Sequence, residues 1–204
     1  MRKTVLSLSL GLLLVGLVFS LSSFAPNTTS TRAISLTPAG TLTQEDIKSL
    51  QYMIQEEKLA RDVYLTLYNI YKLPVFSNIA QSEQRHMDSV KVLLDKYGIQ
   101  NPLKTDTIGK YADSEFEKLY TQLVEEGKKS ITDALNVGAK IEKLDIKDLE
   151  EAIAKTKNAD LITVFSNLKS GSENHLAAFT GQTGQNNTQA SAQYGQYGYR
   201  GGRK

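Results

Sequence analysis

Residues 76–97 read Phe76-Ser-Asn-Ile-Ala-Gln-Ser-Glu-Gln-Arg-His-Met-Asp-Ser-Val-Lys-Val-Leu-Leu-Asp-Lys-Tyr97, and their spacing decides the fold. Apolar Phe76, Ile79, Val90, Leu93 and Tyr97 recur at steps that place them on one face of an α-helix. The steps between Ile79 and Val90 fall on Glu83 and His86. The seam is thus interrupted by a carboxylate and an imidazole at i and i+3, side by side on the same face. Gly98 supplies the stop.

The same pattern extends on both sides. Upstream, Thr43 caps a helix expected over residues 43–71, with Glu45 and Asp46 in its first turn. Its seam is Leu50, Met53, Ala60, Tyr64, Leu67 and Tyr71, and Pro74 marks the turn that follows. Downstream, residues 99–112 read as an irregular crossover, followed by a short helix over 114–126 ended by Gly127. A helix over 130–144 carries the seam Ile131, Leu135, Gly138. Asp145-Ile-Lys-Asp-Leu149 reads as the opening of another short helix that reaches residue 155. A last helix covers 159–179 with the seam Leu161, Phe165, Leu168, Phe179. No stretch has the period of a strand. The expected fold is all-α, a ferritin-like four-helix bundle of two αα-hairpins with a long crossover and short extra helices.

Every long seam is broken in the same way. Met53 to Ala60 passes through Glu57, the step after Gly138 falls on Glu142, and Leu168 to Phe179 passes through Ser172 and His175. Both histidines of the chain, His86 and His175, are among the interruptions. Singly, each has an ordinary explanation: Glu57 can pair with Arg61, Glu142 with Lys143, and a lone histidine is commonly a hydrogen-bonded core residue. Together they place three carboxylates on inward faces, where they repel one another and cost several kcal/mol unless compensated. A divalent cation compensates several at once. The expected ligands are therefore Glu57, Glu83, His86, Glu142 and His175. Glu83 and Glu142 are read as bridging or chelating and Glu57 as terminal. Arg61 and Arg85 are placed either to orient ligand carboxylates or to form surface ion pairs. Tyr64 is placed either to donate to a ligand or to pack.

Composition narrows the chemistry. The 204 residues include no cysteine, which excludes disulfides, zinc–thiolate sites and thiol nucleophiles. Any metal is held by nitrogen and oxygen, a set that suits iron, manganese or zinc. Six of the 24 basic residues (Arg2, Lys3, Arg32, Arg200, Arg203, Lys204) lie in end segments without acidic residues, leaving 18 against 22 acidic ones. That balance gives no basic patch for nucleic acid. Residues 1–25 pair Arg2 and Lys3 with the apolar run Val5–Phe19, the pattern of an export signal cleaved near Ala25 or of an uncleaved membrane anchor. Either implies a secreted or extracytoplasmic protein, the second with membrane or envelope association. Residues 26–42 are a Ser/Thr-rich linker, 43–180 the bundle, and 181–204 a Gly/Gln/Tyr-rich tail with too little apolar surface to order it.

Four blocks carry a family resemblance: Glu56-Glu-Lys-Leu-Ala-Arg-Asp-Val-Tyr64, Ser82-Glu-Gln-Arg-His-Met87, Gly138-Ala-Lys-Ile-Glu142 with Asp145-Ile, and Gly171-Ser-Glu-Asn-His-Leu-Ala-Ala-Phe179. They resemble the ferritin-like domain of unknown function 2202 over about residues 45–180. The resemblance implies a ferritin-like bundle of di-iron carboxylate ancestry, distantly akin to rubrerythrins and ferritins, with no established activity to carry over. One departure matters. The general di-iron pattern puts Glu-x-x-His on the last helix, but Ser172 stands three residues before His175. Glu173 reaches the site only through a π-bulge near Gly171. Otherwise the second metal position is weakened, and either a single ion binds or binding is lost and the polar core remains as a relic.

The function expected is binding of one or two metal ions, with a di-iron oxidase or peroxide-linked redox activity. The alternatives are a non-enzymatic metal-binding protein of the envelope and a metal-free interaction module.

Overall fold

The computed structural model describes residues 41–197, with side chains as far as residue 184. The expected signal or anchor, and nearly all of the linker, lie outside the described residues. Five helices follow: α1 Gln44–Tyr71, α2 Pro74–Lys96, α3 Ser114–Gly127, α4 Ile131–Lys155 and α5 Ala159–Tyr197. No strand occurs among the described residues, and none of their helices is long and apolar enough to cross a membrane.

The helix ends follow from local chemistry. Thr43 caps α1 through a capping box with Asp46, each side chain accepting from the other's backbone N–H. Pro74 occupies the first turn of α2, where its missing N–H costs nothing. Asp113 and Ser130 cap α3 and α4. Asn158 Oδ1 accepts from the backbone N–H groups of Asp160 and Leu161 at the start of α5.

α1 packs along α2 and α4 along α5, two antiparallel hairpins. α3 lies against both α1 and α4, and the pairs meet through α1 with α4 and α2 with α5. Two apolar clusters fill the interior. One gathers Val63, Tyr64, Leu67, Phe76, Leu135 and Phe179; the other gathers Leu50, Met53, Val90, Leu149, Leu161 and Phe165. Burying each large apolar side chain contributes about 1.5–3 kcal/mol.

Two expectations are corrected. The helix expected over 130–144 and the short one after it are a single helix, α4, because Asp145 continues the seam that runs through Glu142 to Leu149 and Ala152. The last helix does not stop at residue 179 but continues to Tyr197, into the stretch expected to be unstructured. No proline interrupts that stretch, and extending an existing helix needs no new nucleus.

α1 is buried on every side from Met53 to Tyr64. The crossover is the reason, for it wraps the outward face of α1. Gln55 Oε1 accepts from the backbone of Ala112 and Asp113, and Asp62 Oδ2 accepts from Gly109 N and Tyr111 Oη. Lys58, fully buried, binds Asp62 Oδ2 at 2.5 Å and Thr107 O at 2.8 Å.

Candidate metal centre

A single polar layer separates the two apolar clusters. α1 brings Glu57, α2 Glu83 and His86, α4 Glu142 and α5 His175, all at most 9 % exposed. The five ligand-type interruptions read from the sequence thus converge. Glu83 lies at the middle. Its Oε2 is 2.8 Å from His86 Nδ1 and its Oε1 is 2.8 Å from His175 Nδ1. Glu57 Oε2 is 3.2 Å from His86 Nδ1, and Glu142 Oε2 is 3.5 Å from His175 Nδ1. Two ligand groups result, Glu57/Glu83/His86 and Glu83/Glu142/His175, and they share Glu83. Of the two residues expected to bridge or chelate, Glu83 belongs to both groups and Glu142 to one.

The imidazoles are held from behind. Their rings lie 5.5 Å apart and 27° from parallel. A Cβ on Gly171 would lie 2.6 Å from His86 Nε2, so α5 presses on the back of that ring and leaves Nδ1 facing the carboxylates. Tyr64 Oη donates to Glu142 Oε1 at 2.6 Å, fixing that carboxylate from outside the layer.

The layer is short of protons. Glu57 Oε1, Glu83 Oε1, Asp145 Oδ1 and His175 Nδ1 are buried without a hydrogen-bond partner. Glu83 Oε1 and His175 Nδ1 are close, yet their angle does not make a hydrogen bond. Burial, with Asp145 and Glu83 alongside, pushes Glu57 well above the usual carboxylate range. Burial raises Glu142 to about 8, with Glu83 adding to it and His175 opposing. Burial would raise Glu83 too, but its two imidazole neighbours outweigh it and bring it down to about 2. Burial would lower His175, yet the carboxylates of Glu142 and Glu83 carry it up to about 10. Unpartnered donor atoms facing one another across a buried space are the arrangement a cation completes, and the nitrogen and oxygen donors fit iron, manganese or zinc.

Three expectations are corrected here. Glu173 does not enter the site. α5 is regular α-helix through Gly171–His175, and Glu173 is exposed and paired with Lys169 at 2.7 Å. Arg61 does not orient the ligands. Its guanidinium binds Asp62 at 2.9 Å, Asp106 at 2.6 Å and Gln84, tying α1 to the crossover and α2. Arg85 is exposed on the outer face of α2. Conversely, Asp145 belongs to the layer and was read as a helix start. It is buried, and Ser172 Oγ donates to its Oδ2 at 2.5 Å. Ser172 of α5 thus holds a carboxylate of α4 at the layer. The signal was available in the sequence, because Asp145 stands three residues after Glu142 on the same seam.

Comparison with known proteins agrees with this architecture. Of the solved structures, that of a hypothetical protein, MJ0754, from Methanococcus jannaschii superposes with a TM-score of 0.73. It is 53% identical, covering 74% of this chain and 86% of that one. In sequence the chain is 56% identical over 146 residues to the uncharacterized protein MJ0754 of Methanocaldococcus jannaschii, spanning 72% of this chain and 79% of the relative. A DUF305 fragment from Deinococcus radiodurans matches at TM-score 0.53 over 70% of this chain and 97% of its own, at 13% identity, a likeness of fold alone. The five converging ligand-type residues all lie within residues 46–197, which match the uncharacterized protein domain DUF2202. The chain belongs to that DUF2202 family.

Proposed function

We propose that this protein is an exported ferritin-like metal-binding protein that holds two divalent cations, iron foremost, in the polar layer of its bundle. One observation carries the reading: the two oxygens of Glu83 each lie 2.8 Å from a different imidazole nitrogen, so one carboxylate faces two ligand groups. Two hairpins joined by a long crossover, with ligands drawn from all four long helices, match the ferritin-like plan. The positive and apolar residues at the start of the sequence support export.

Glu57, Glu83 and His86 hold the first ion, and Glu83, Glu142 and His175 the second. Two bound irons supply redox chemistry toward oxygen or peroxide. Around them Tyr64 fixes Glu142, Gly171 lets α5 approach His86, and the apolar clusters keep water out. Asp145, held by Ser172, keeps an anionic group beside the layer without joining either ligand group.

Elemental analysis of the full chain from iron-, manganese- or zinc-supplemented cultures tests the reading. Two ions per chain are expected, both lost in Glu83→Gln and one lost in each of Glu57→Gln and Glu142→Gln. A metal-free wild type, or Glu83→Gln retaining two ions, overturns it. Oxygen uptake on addition of Fe(II) separates an oxidase from a protein that only holds metal.

A further inference from the structure

On the side of the layer where α1 meets α4 stand carboxylates that the ligand set does not use. Glu56 is adjacent to Glu57 and 3 % exposed, yet neither of its oxygens has a hydrogen-bond partner. A buried carboxylate without donors is costly, and the one cation that bears on it, Lys147, is an exposed side chain paired with Glu151 at 2.9 Å. Lys58, two residues on, is committed to Asp62 and Thr107. The groups that bear on Glu56 are chiefly acidic, Asp145 and Asp148.

These residues form a file. Asp145 and Asp148 stand one turn apart on the same face of α4. Asp145, in the layer, keeps Oδ1 unpartnered. The Asp148 side chain is 20 % exposed and marks the outer end, where it meets Lys147. Tyr52, itself exposed, donates from Oη to Asp148 Oδ2 at 3.2 Å. Tyr52 and Asp148 line a surface groove of about 250 Å³ shared with Glu45, Glu151, Lys48 and Lys155.

We propose that Asp148, Glu56 and Asp145 are the inlet by which a divalent cation travels from this groove to Glu57. The proposal rests on the two-ion reading of the layer. Asp148 is partly exposed at the outer end while Glu56 and Asp145 are both buried, and the unpartnered oxygens of Glu56 and Asp145 are left to receive the ion. The Tyr52 hydroxyl closes the outer end by binding Asp148, and releasing it opens the way to Glu56.

Stopped-flow loading of the cation-free full chain with Co(II), followed by visible absorbance, tests the route, with elemental analysis of the end product. Wild type takes up two ions. Glu56→Gln and Asp148→Asn load about tenfold more slowly, the scale of local electrostatic steering, and reach the same final two. Tyr52→Phe loads faster than wild type. Asp88→Asn, on the far face of α2, loads at the wild-type rate. Wild-type rates in both Glu56→Gln and Asp148→Asn overturn the route, and so does a lower final stoichiometry, which would make these residues ligands. A wild type that takes up no Co(II) refutes the metal centre itself, a result distinct from either.

Discussion

At the scale of single residues, the site is set as much by what is missing as by what is present. Gly171 has no side chain where His86 needs room, and Ser172 has a hydroxyl where the general di-iron pattern has a carboxylate. Gly171→Ala separates these contributions. In an exposed helix the change would be worth about 1 kcal/mol in favour of alanine. Here the added methyl lies 2.6 Å from His86 Nε2, and overpacking of that kind costs roughly 1–3 kcal/mol. The ring must turn away from Glu57 and Glu83. Gly171→Ala is therefore expected to bind one ion instead of two, keeping the position at Glu142 and His175, with no gain in melting temperature. Calorimetric titration with Zn(II) measures the stoichiometry. Two ions at wild-type affinity would mean that the contact does not orient His86. The five converging carboxylate and imidazole residues were legible because each broke an apolar seam. Asp145 and Glu56 were not. Asp145 opens a sequence that also reads as a helix start, and Glu56 lies off the seam of α1, on a face buried only because another segment covers it.

At the scale of elements, the seams gave the long helices because burial on one face leaves a period, and they failed where burial is not one-sided. α1 has apolar and charged residues mixed from Met53 to Tyr64 and is buried throughout, its outer face against the crossover rather than another helix. No helical period records such a contact. Asp62 is the point where α1 holds the crossover, since Lys58, Arg61, Gly109 and Tyr111 all donate to it. Removing it leaves Lys58 buried with no carboxylate, a loss of about 3–5 kcal/mol. Asp62→Ala is expected to lower stability by that amount in urea unfolding. Hydrogen exchange should also speed up over residues 100–112 while the α4–α5 hairpin stays protected. Unchanged exchange in the crossover would show that other contacts hold it.

At the scale of the whole molecule, the bundle encloses a layer of buried titratable groups whose protonation is linked to stability. In the cation-free protein Glu142 is raised to about 8 from 4.5 and Asp145 to about 7 from 3.8, each chiefly by burial. Between those values the unfolded chain has lost protons that the folded chain still binds, so raising the pH favours unfolding. His175 acts in the same direction. Raised to about 10 from 6.5, it stabilises the fold fully below pH 6.5 and progressively less toward pH 10. Glu83 opposes them, but its window between about 2 and 4.5 lies at lower pH. Cation-free stability is therefore expected to fall from pH 5 to pH 9, each of the three groups contributing about 1.36 kcal/mol per pH unit across its own window. A bound cation requires the deprotonated ligands, so its stabilisation grows over the same range. It reaches about 2.7 kcal/mol when the free ion is a hundredfold above its dissociation constant. Urea titrations at pH 5, 7 and 9, with chelator or with Zn(II), should give curves that nearly meet at pH 5 and diverge by pH 9. A cation-free stability that is flat or rises over that interval would mean that the carboxylates of the layer do not share one buried space.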